Sequence, residues 1–328
     1  MSRLSTPHAA RLAGALLGAL AVGAGIGQSP AARAQPPITA LAFAPGGELV
    51  VAGSQAGIRV AAWPTLQTDS ERGVGVDQPH DLRFSPNGRR LLVVGGAAGQ
   101  FGQWELVSWP GFEPIASAIA HGDTIYSAAW LSDDRFVTAA ADNDLIEWRQ
   151  TGRGVQQVAK LQGHSRRVLC VESSGLNLLA SAGVDQVLRV WESDDGRVAD
   201  RPLRNLDNHT GVVCDLAARP GDHGVPYLAS ASVDKTVRLW QPSIGRLVRF
   251  ARLPVEPCSI AWRPDGERLA VGCADGKLRI INPNSVQVEQ TLDALDGWAF
   301  EVAAAADGSF AVGGTGGVVR RVVPEDRP

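Results

Sequence analysis

The chain has 328 residues, with 31 basic and 34 acidic side chains, a net charge of −3, 45% hydrophobic and 20% charged residues, 37 Gly and 20 Pro. That composition can fill a large core, and it excludes a disordered tail or a collagen-like fibre as the main body. The slight acidity gives no electrostatic footprint for nucleic acid, and four cysteines are too few for a small disulfide-stapled scaffold.

The amino terminus reads as an export signal over residues 1–34. Arg3 and Arg11 form a basic segment, Leu12 to Gly27 is an unbroken Leu/Ala/Gly/Val/Ile run, and Ala32-Arg33-Ala34 supplies the small residues of a cleavage site before Gln35. The apolar run is short for a membrane span of about 20 residues, which favours cleavage over an uncleaved anchor. No twin-arginine pair is present, and no cysteine stands near the cut to accept a lipid. A periplasmic or secreted protein is expected, with no membrane insertion after cleavage. Losing Arg3, Arg11 and Arg33 and no acid takes the net charge to −6, which further disfavours DNA, RNA and anionic membranes as partners.

From residue 38 onward one pattern is written seven times. A strand ends in a turn such as Ala44-Pro45-Gly46-Gly47, Ser85-Pro86-Asn87-Gly88 or Arg263-Pro264-Asp265-Gly266; a second apolar strand, a short polar turn and a third, alternating strand follow. Aligned on the turn between the second and third strands, the units place Gln55, Ala98, Asp142, Asp185, Asp234, Asp275 and Thr315 in one column, spaced 43, 44, 43, 49, 41 and 40 residues apart. The repeats run approximately 38–79, 80–120, 121–162, 163–208, 209–257, 258–297 and 298–328. Units of about 40 residues, apolar on both faces, cannot bury themselves singly and must stack into a ring.

Three units share a further set. His121, Thr138, Asp142 and Trp148 return as His164, Ser181, Asp185 and Trp191, and again as His209, Ser230, Asp234 and Trp240, with four residues from Ser/Thr to Asp and six from Asp to Trp. Here the chain resembles the WD40-repeat family, most clearly in Gly163-His164, Leu179-Ala180-Ser181, Asp185 to Trp191 and Leu228 to Trp240. The resemblance implies an all-β, seven-bladed propeller, one closed ring over 35–328, in which these twelve residues form buried structural chains. The outer units depart from the set: Ala61, Ile281 and Arg321 stand where the Trp would be, and Trp104 survives. The last unit ends after its third strand, so a three-stranded seventh blade is expected, its edge guarded by Arg320 and Arg321.

Chemistry was sought in the same columns. Three parallel Ser/His/Asp sets, each with a tryptophan attached and none on a G-x-S-x-G elbow, read as structure and not as hydrolase triads. One histidine per blade cannot share a metal ion, and His80 reads as core or rim packing. The cysteines read as buried thiols acting as small hydrophobes, with a Cys258–Cys273 disulfide across a hairpin as the alternative. On the innermost strands Ala40, Asp81, Ser127, Cys170, Asp215, Ser259 and Glu301 form a small or acidic ring, read as solvated channel lining with cation binding as the alternative. On the face that commonly receives partners in WD40 proteins the sequence puts Asp123, Thr124, Ser165, Arg166, Arg167, Thr210, Asp296 and Trp298, with Gly221 to Val225 enlarging a loop opposite. The partner-binding candidates are Asp123, Arg166, Arg167 and Trp298, with Asp81 and Glu301 at the channel. The expectation is a non-enzymatic scaffold for another protein or peptide, a monomeric ring within a complex, without cofactor or metal. A propeller enzyme or small-ligand binder resembling the lactonase or quinoprotein groups is the rival, and a module that functions only inside a larger exported complex is a third reading.

Overall fold

The second strand of each repeat decides the architecture. In the third to seventh repeats it is buried at every position, as in Arg135–Ala140 and Leu178–Gly183, so both faces of each sheet must be covered. The computed structural model describes residues 35–325 apart from 176, 195, 196 and 226, and the expected signal over 1–34 lies outside the described residues. Seven antiparallel meanders satisfy the burial by stacking face to face.

The first blade comprises β1 to β4 (Ile38–Phe43, Leu49–Ser54, Gly57–Ala62, Thr68–Arg72) and the second β5 to β8 (Asp81–Phe84, Arg90–Ala97, Phe101–Ser108, Pro114–His121). The third holds β9 to β12 (Ile125–Ser132, Arg135–Ala140, Leu145–Thr151, Gly154–Leu161) and the fourth β13 to β16 (Val168–Ser173, Leu178–Gly183, Leu188–Glu192, Arg204–Leu206). The fifth holds β17 to β20 (Val213–Ala218, Leu228–Ser232, Thr236–Gln241, Arg246–Arg252) and the sixth β21 to β24 (Pro257–Trp262, Leu269–Cys273, Lys277–Ile281, Val288–Asp293). The seventh has β25 to β27 (Ala299–Ala304, Phe310–Gly314, Val319–Val322) and, as expected, three strands. Each first strand touches the next blade's first strand, and β1 meets β25 and β26, closing the ring. At that seam Gly313 is required, because a Cβ there would lie 2.7 Å from Ile38 Cγ2.

The aspartate column makes the turns between second and third strands. Asp142, Asp185, Asp234 and Asp275 each accept the backbone N–H two residues on, the local bond by which Asp stabilises a turn. That bond holds Asn143, Gln186 and Lys235 at positive φ (76°, 68° and 65°), and Gly276 at 73°.

Strand register corrects the repeat alignment in two blades. In the third, fourth and fifth blades Trp148, Trp191 and Trp240 pair with Phe136, Leu179 and Leu228. The matching pair in the second blade is Leu91 with Val107, and in the seventh Phe310 with Val322. Val107 and Val322 therefore occupy the tryptophan slot in place of Trp104 and Arg321. In the second blade the reason is the β6–β7 hairpin, which is paired out to Ala97 and Phe101, whereas β10–β11 stops at Ala139 and Leu145. Trp104 instead packs edge-on at 5.2 Å from Trp148 and 5.3 Å from Phe136, and its indole Nε1 finds no acceptor among the described residues.

Candidate functional site

Three donor chains run through the third to fifth blades. In the fourth, Trp191 Nε1–H donates to Ser181 Oγ (2.9 Å), Ser181 Oγ meets His164 Nε2 (2.8 Å), and His164 Nδ1 meets Asp185 (3.0 Å). The same bonds link Trp148, Thr138, His121 and Asp142 at 3.0, 2.9 and 3.0 Å, and Trp240, Ser230, His209 and Asp234 at 2.8, 2.7 and 2.8 Å. The indole-to-hydroxyl and hydroxyl-to-imidazole links are satisfied with Nε2 as acceptor and the Nδ1 proton directed at the aspartate; Arg189 and Arg238 flank the same corner, 2.7 and 3.2 Å from Nδ1 of His164 and His209. Electrostatics agree: burial lowers the pKa of His164 and His209 against the opposing pull of Asp185 and Asp234. Burial pushes Asp185 up, but its bond from His164, the Arg189 guanidinium and the Ser165 N–H outweigh this and hold it at about 2.

These sets have the connectivity of a Ser/His/Asp triad without its accessibility. Thr138, Ser181 and Ser230 are fully buried, and each hydroxyl oxygen accepts an indole N–H. A nucleophile must reach a substrate carbonyl, and none of these can. Each histidine stands at the junction from one blade's outer strand to the next blade, His121 closing β8 itself, so each chain joins neighbouring blades.

The innermost ring is a second set of inter-blade bonds, which corrects the reading of Asp81 and Asp215 as solvated lining. Asp81 Oδ2 accepts Ala128 N–H and Ser127 Oγ–H (both 3.0 Å), Ser127 Oγ accepts Val171 N–H (3.3 Å), Asp215 Oδ2 accepts Ile260 N–H (2.9 Å) and Ser259 Oγ accepts Val302 N–H (3.2 Å). In each case the acceptor serves the residue following its own counterpart on the next blade. Each innermost strand ends its sheet, so every second N–H points away from the ladder, and these side chains supply the acceptors those N–H groups need. Asp81 is therefore buried and engaged, and cannot present itself to a partner. Glu301, half-buried, meets Ser259.

Two residues further along, the same strands read Ala42, Arg83, Ala129, Glu172, Ala217, Ala261 and Ala303. Arg83 reaches past the third blade to Glu172 at 3.3 Å while also holding Asp81 at 3.0 Å. They stand at one side of a central cavity of about 350 Å³ that Asp215 and Glu301 also line. Burial pushes the Glu172 carboxyl up to about 7, Arg83 opposing and Asp215 and Asp81 adding. The Arg83 guanidinium rises above its usual value because Asp81 and Glu172 outweigh burial. The side chains keep 31% and 18% exposure, so they lie deep in the ring yet touch channel water. Sequence reasoning missed this pair, although two opposite charges in a column otherwise all alanine were there to be seen.

The loop face resolves the remaining candidates. Arg166 and Arg167 are exposed on the loop that His164 anchors, as are Ser165, Thr210 and Asp296. Asp123 is half-buried and caps structure, accepting Gly99 N–H and Thr124 N–H at 2.7 Å; Thr124 is buried. Trp298 is half-buried beside Phe300 at 5.8 Å. Beneath the face, His80 and Tyr126 are buried with ring centroids 5.0 Å apart. The Gly221–Val225 loop folds back onto the sixth blade, bringing His223 against Gly266. All four cysteines are buried thiols, as the favoured reading had them, and the alternative Cys258–Cys273 disulfide is not formed. Cys273 pairs with Pro257, and Cys258 falls in the bulge beside it.

Comparison with known proteins agrees with this geometry. The WD domain, G-beta repeat family matches residues 112–149, 155–192 and 200–241, and the anaphase-promoting complex subunit 4 WD40 domain matches 227–299. Human Coronin-7 is 37% identical over 250 residues, covering 71% of this chain and 22% of that protein. WD repeat-containing protein SL1-17 of Schistosoma mansoni is 22% identical over 202 residues, 60% of this chain and 51% of that protein. A probable cytosolic iron-sulfur protein assembly protein 1 of Cryptococcus neoformans is 25% identical over 123 residues, 31% of this chain and 28% of that protein. The chain thus spans about a fifth of Coronin-7, about half of SL1-17 and just over a quarter of the iron-sulfur assembly protein. Matched repeats, buried Trp–Ser/Thr–His–Asp chains and seven sheets in a ring together identify a seven-bladed β-propeller built with WD40 repeats.

Proposed function

We propose that the protein is a non-enzymatic scaffold, acting outside the cytoplasm, that holds another protein or peptide on the loop face carrying Arg166 and Arg167. The observation that carries this is the placement of those two guanidinium groups. They are adjacent and exposed, neither side chain makes a hydrogen bond or ion pair among the described residues, and they follow His164, whose imidazole is fixed by Ser181 and Asp185. A loop pinned this way loses little entropy on binding, and arginine is favoured at interface hot spots. Carboxylate-bearing segments are the matching partner chemistry. Export is supported by the residue 1–34 pattern alone. Crosslinking in the native host should capture a partner with the wild-type chain and lose it with Arg166→Glu/Arg167→Glu; capture unchanged by the double substitution refutes the loop-face reading. Amino-terminal sequencing of the exported fraction should begin at Gln35, and a cytoplasmic chain retaining residues 1–34 refutes export.

A further inference from the structure

The outer strands differ in how they protect their open edges. β4 carries Asp69, Glu71 and Arg72; β12 Lys160; β16 Arg204; β20 Arg246, Arg249 and Arg252; β24 Glu289 and Asp293; and β27 Arg320 and Arg321. Charge on an edge strand discourages pairing with another chain. β8, Pro-Ile-Ala-Ser-Ala-Ile-Ala-His over Pro114–His121, carries no Asp, Glu, Lys or Arg, although it ends its sheet and at eight residues is among the longest outer strands. Ile119 is 71% exposed and Ile115 40%. β8 shares with β4, β12, β20 and β24 the irregularity near its start, beside Ile115, and has a second at its end between Ile119 and His121; Ala116–Ile119 between them pairs regularly with β7.

The sequence of this edge also names its occupant. Ile115-Ala116-Ser117-Ala118-Ile119 is a palindrome, so an antiparallel copy about a two-fold axis at Ser117 sets each Ile115 opposite the other copy's Ile119, and Ser117 opposite itself. Such isologous pairing is the usual geometry of a homodimer, and cross-strand β-branched pairs stabilise it. Ala116, Ala118 and Ala120 pack inward on the third-blade core, leaving the exposed isoleucines to meet. The open edge of β27 cannot do the same. Val318-Val319-Arg320-Arg321-Val322-Val323 is palindromic too, but a two-fold there sets Arg320 against Arg321, and like charges directly opposite repel.

We propose that the β8 edge joins two copies of this chain, making one continuous eight-stranded sheet from two second blades. This goes beyond the loop-face reading and does not depend on it, since Arg166 and Arg167 belong to another surface. Two strands and their side chains cover less than a standard interface of about 1,600 Å², so the dimer dissociates on dilution. Sedimentation velocity across a concentration series tests it. Wild type should pass from monomer to dimer with rising concentration. Ser117→Lys and Ser117→Asp, at an exposed position, should each stay monomeric with an unchanged melting temperature. An equimolar mixture of the two variants should recover the dimer, because opposite charges then meet on the axis. Wild type that stays monomeric to its solubility limit, or a dimer that persists in both charged variants, overturns the proposal.

Discussion

Removing the hydroxyl of Ser181 tests whether the Trp–Ser–His–Asp chains hold the ring together. Ser181 is fully buried, and its Oγ serves two partners: Trp191 Nε1 at 2.9 Å and His164 Nε2 at 2.8 Å. Ser181→Ala removes one oxygen, too small a change to matter as a cavity, but it strands a buried donor and a buried acceptor. Each costs about 1–3 kcal/mol when left dry, so the pair should cost roughly 2–6 kcal/mol. For a domain of this size each kcal/mol lowers the melting temperature by about 2–4 °C. Urea denaturation of Ser181→Ala, Trp191→Phe and the double variant separates the contributions. In the Trp191→Phe background there is no indole N–H to strand, so Ser181→Ala should cost about 1–3 kcal/mol less than alone. The sixth blade supplies the converse: Val271 occupies the serine slot with Ile281 in place of the tryptophan, so Val271→Thr buries a hydroxyl beside no indole or imidazole and should destabilise. A cost for Ser181→Ala below about 0.5 kcal/mol, or one unchanged by Trp191→Phe, refutes the reasoning, because it lies under the range for a stranded buried polar group.

Arg135 and Glu147 form a buried pair at 2.6 Å, further tied to Asp194 O and Val198 N–H of the fourth blade. Glu147→Gln should cost about 3–5 kcal/mol in urea denaturation by stranding the guanidinium, and Arg135→Met/Glu147→Leu should recover much of that loss. Glu172 gains its proton near pH 7 in the fold and near 4.5 in the unfolded chain, so the folded state binds the extra proton between those values. Its contribution is fully present below pH 4.5 and is lost as pH rises through 7. Subtracting the unfolding free energy of Glu172→Gln from that of wild type should give a curve that falls across this window, and a flat difference refutes the assignment. Burial pushes the Cys258 thiol well up and Cys273 to about 11, so a thiol reagent at pH 8 should label neither in the native protein and both in denaturant.

The seven-unit period and the short last blade were legible because turn chemistry is local. An aspartate that bonds its own turn leaves a mark at fixed spacing from its strand, whatever the ring does. Register was less legible, because residue counts from a turn hold only while hairpins have equal length; the longer β6–β7 hairpin carried Trp104 out of the column where Val107 belongs. The acceptor ring of Asp81, Ser127, Asp215 and Ser259 was seen as a column but misread. Spacing tells which strands share a position, and it takes the packed ring to show that a side chain turns sideways to an edge N–H of the neighbouring blade. Arg83 and Glu172 lie 89 residues apart, and only ring geometry brings them together.

These bonds explain how a ring with an incomplete last blade closes. Around most of the circle each blade grips the next by a side chain that accepts a main-chain N–H, as Asp81 does for Ala128 and Ser259 for Val302. The first blade has only Ala40 in that column, and Thr39 substitutes by donating to Pro79 O at 2.6 Å. Between the seventh and first blades the contacts are different in kind. Gly313 lets Ile38 and Leu41 lie against the seventh blade's backbone, Arg59 donates to Gly317 O at 3.0 Å, and the Arg321 guanidinium sits 5.7 Å from the Trp63 ring centroid. Arg321 also pairs with Asp307 at 2.9 Å, so one side chain both steadies the short blade and fastens it to its neighbour. Among the described residues the seam is thus held by close packing and by arginines, with no fourth strand, and the β27 edge that this leaves open is the edge on which the two arginines oppose self-pairing.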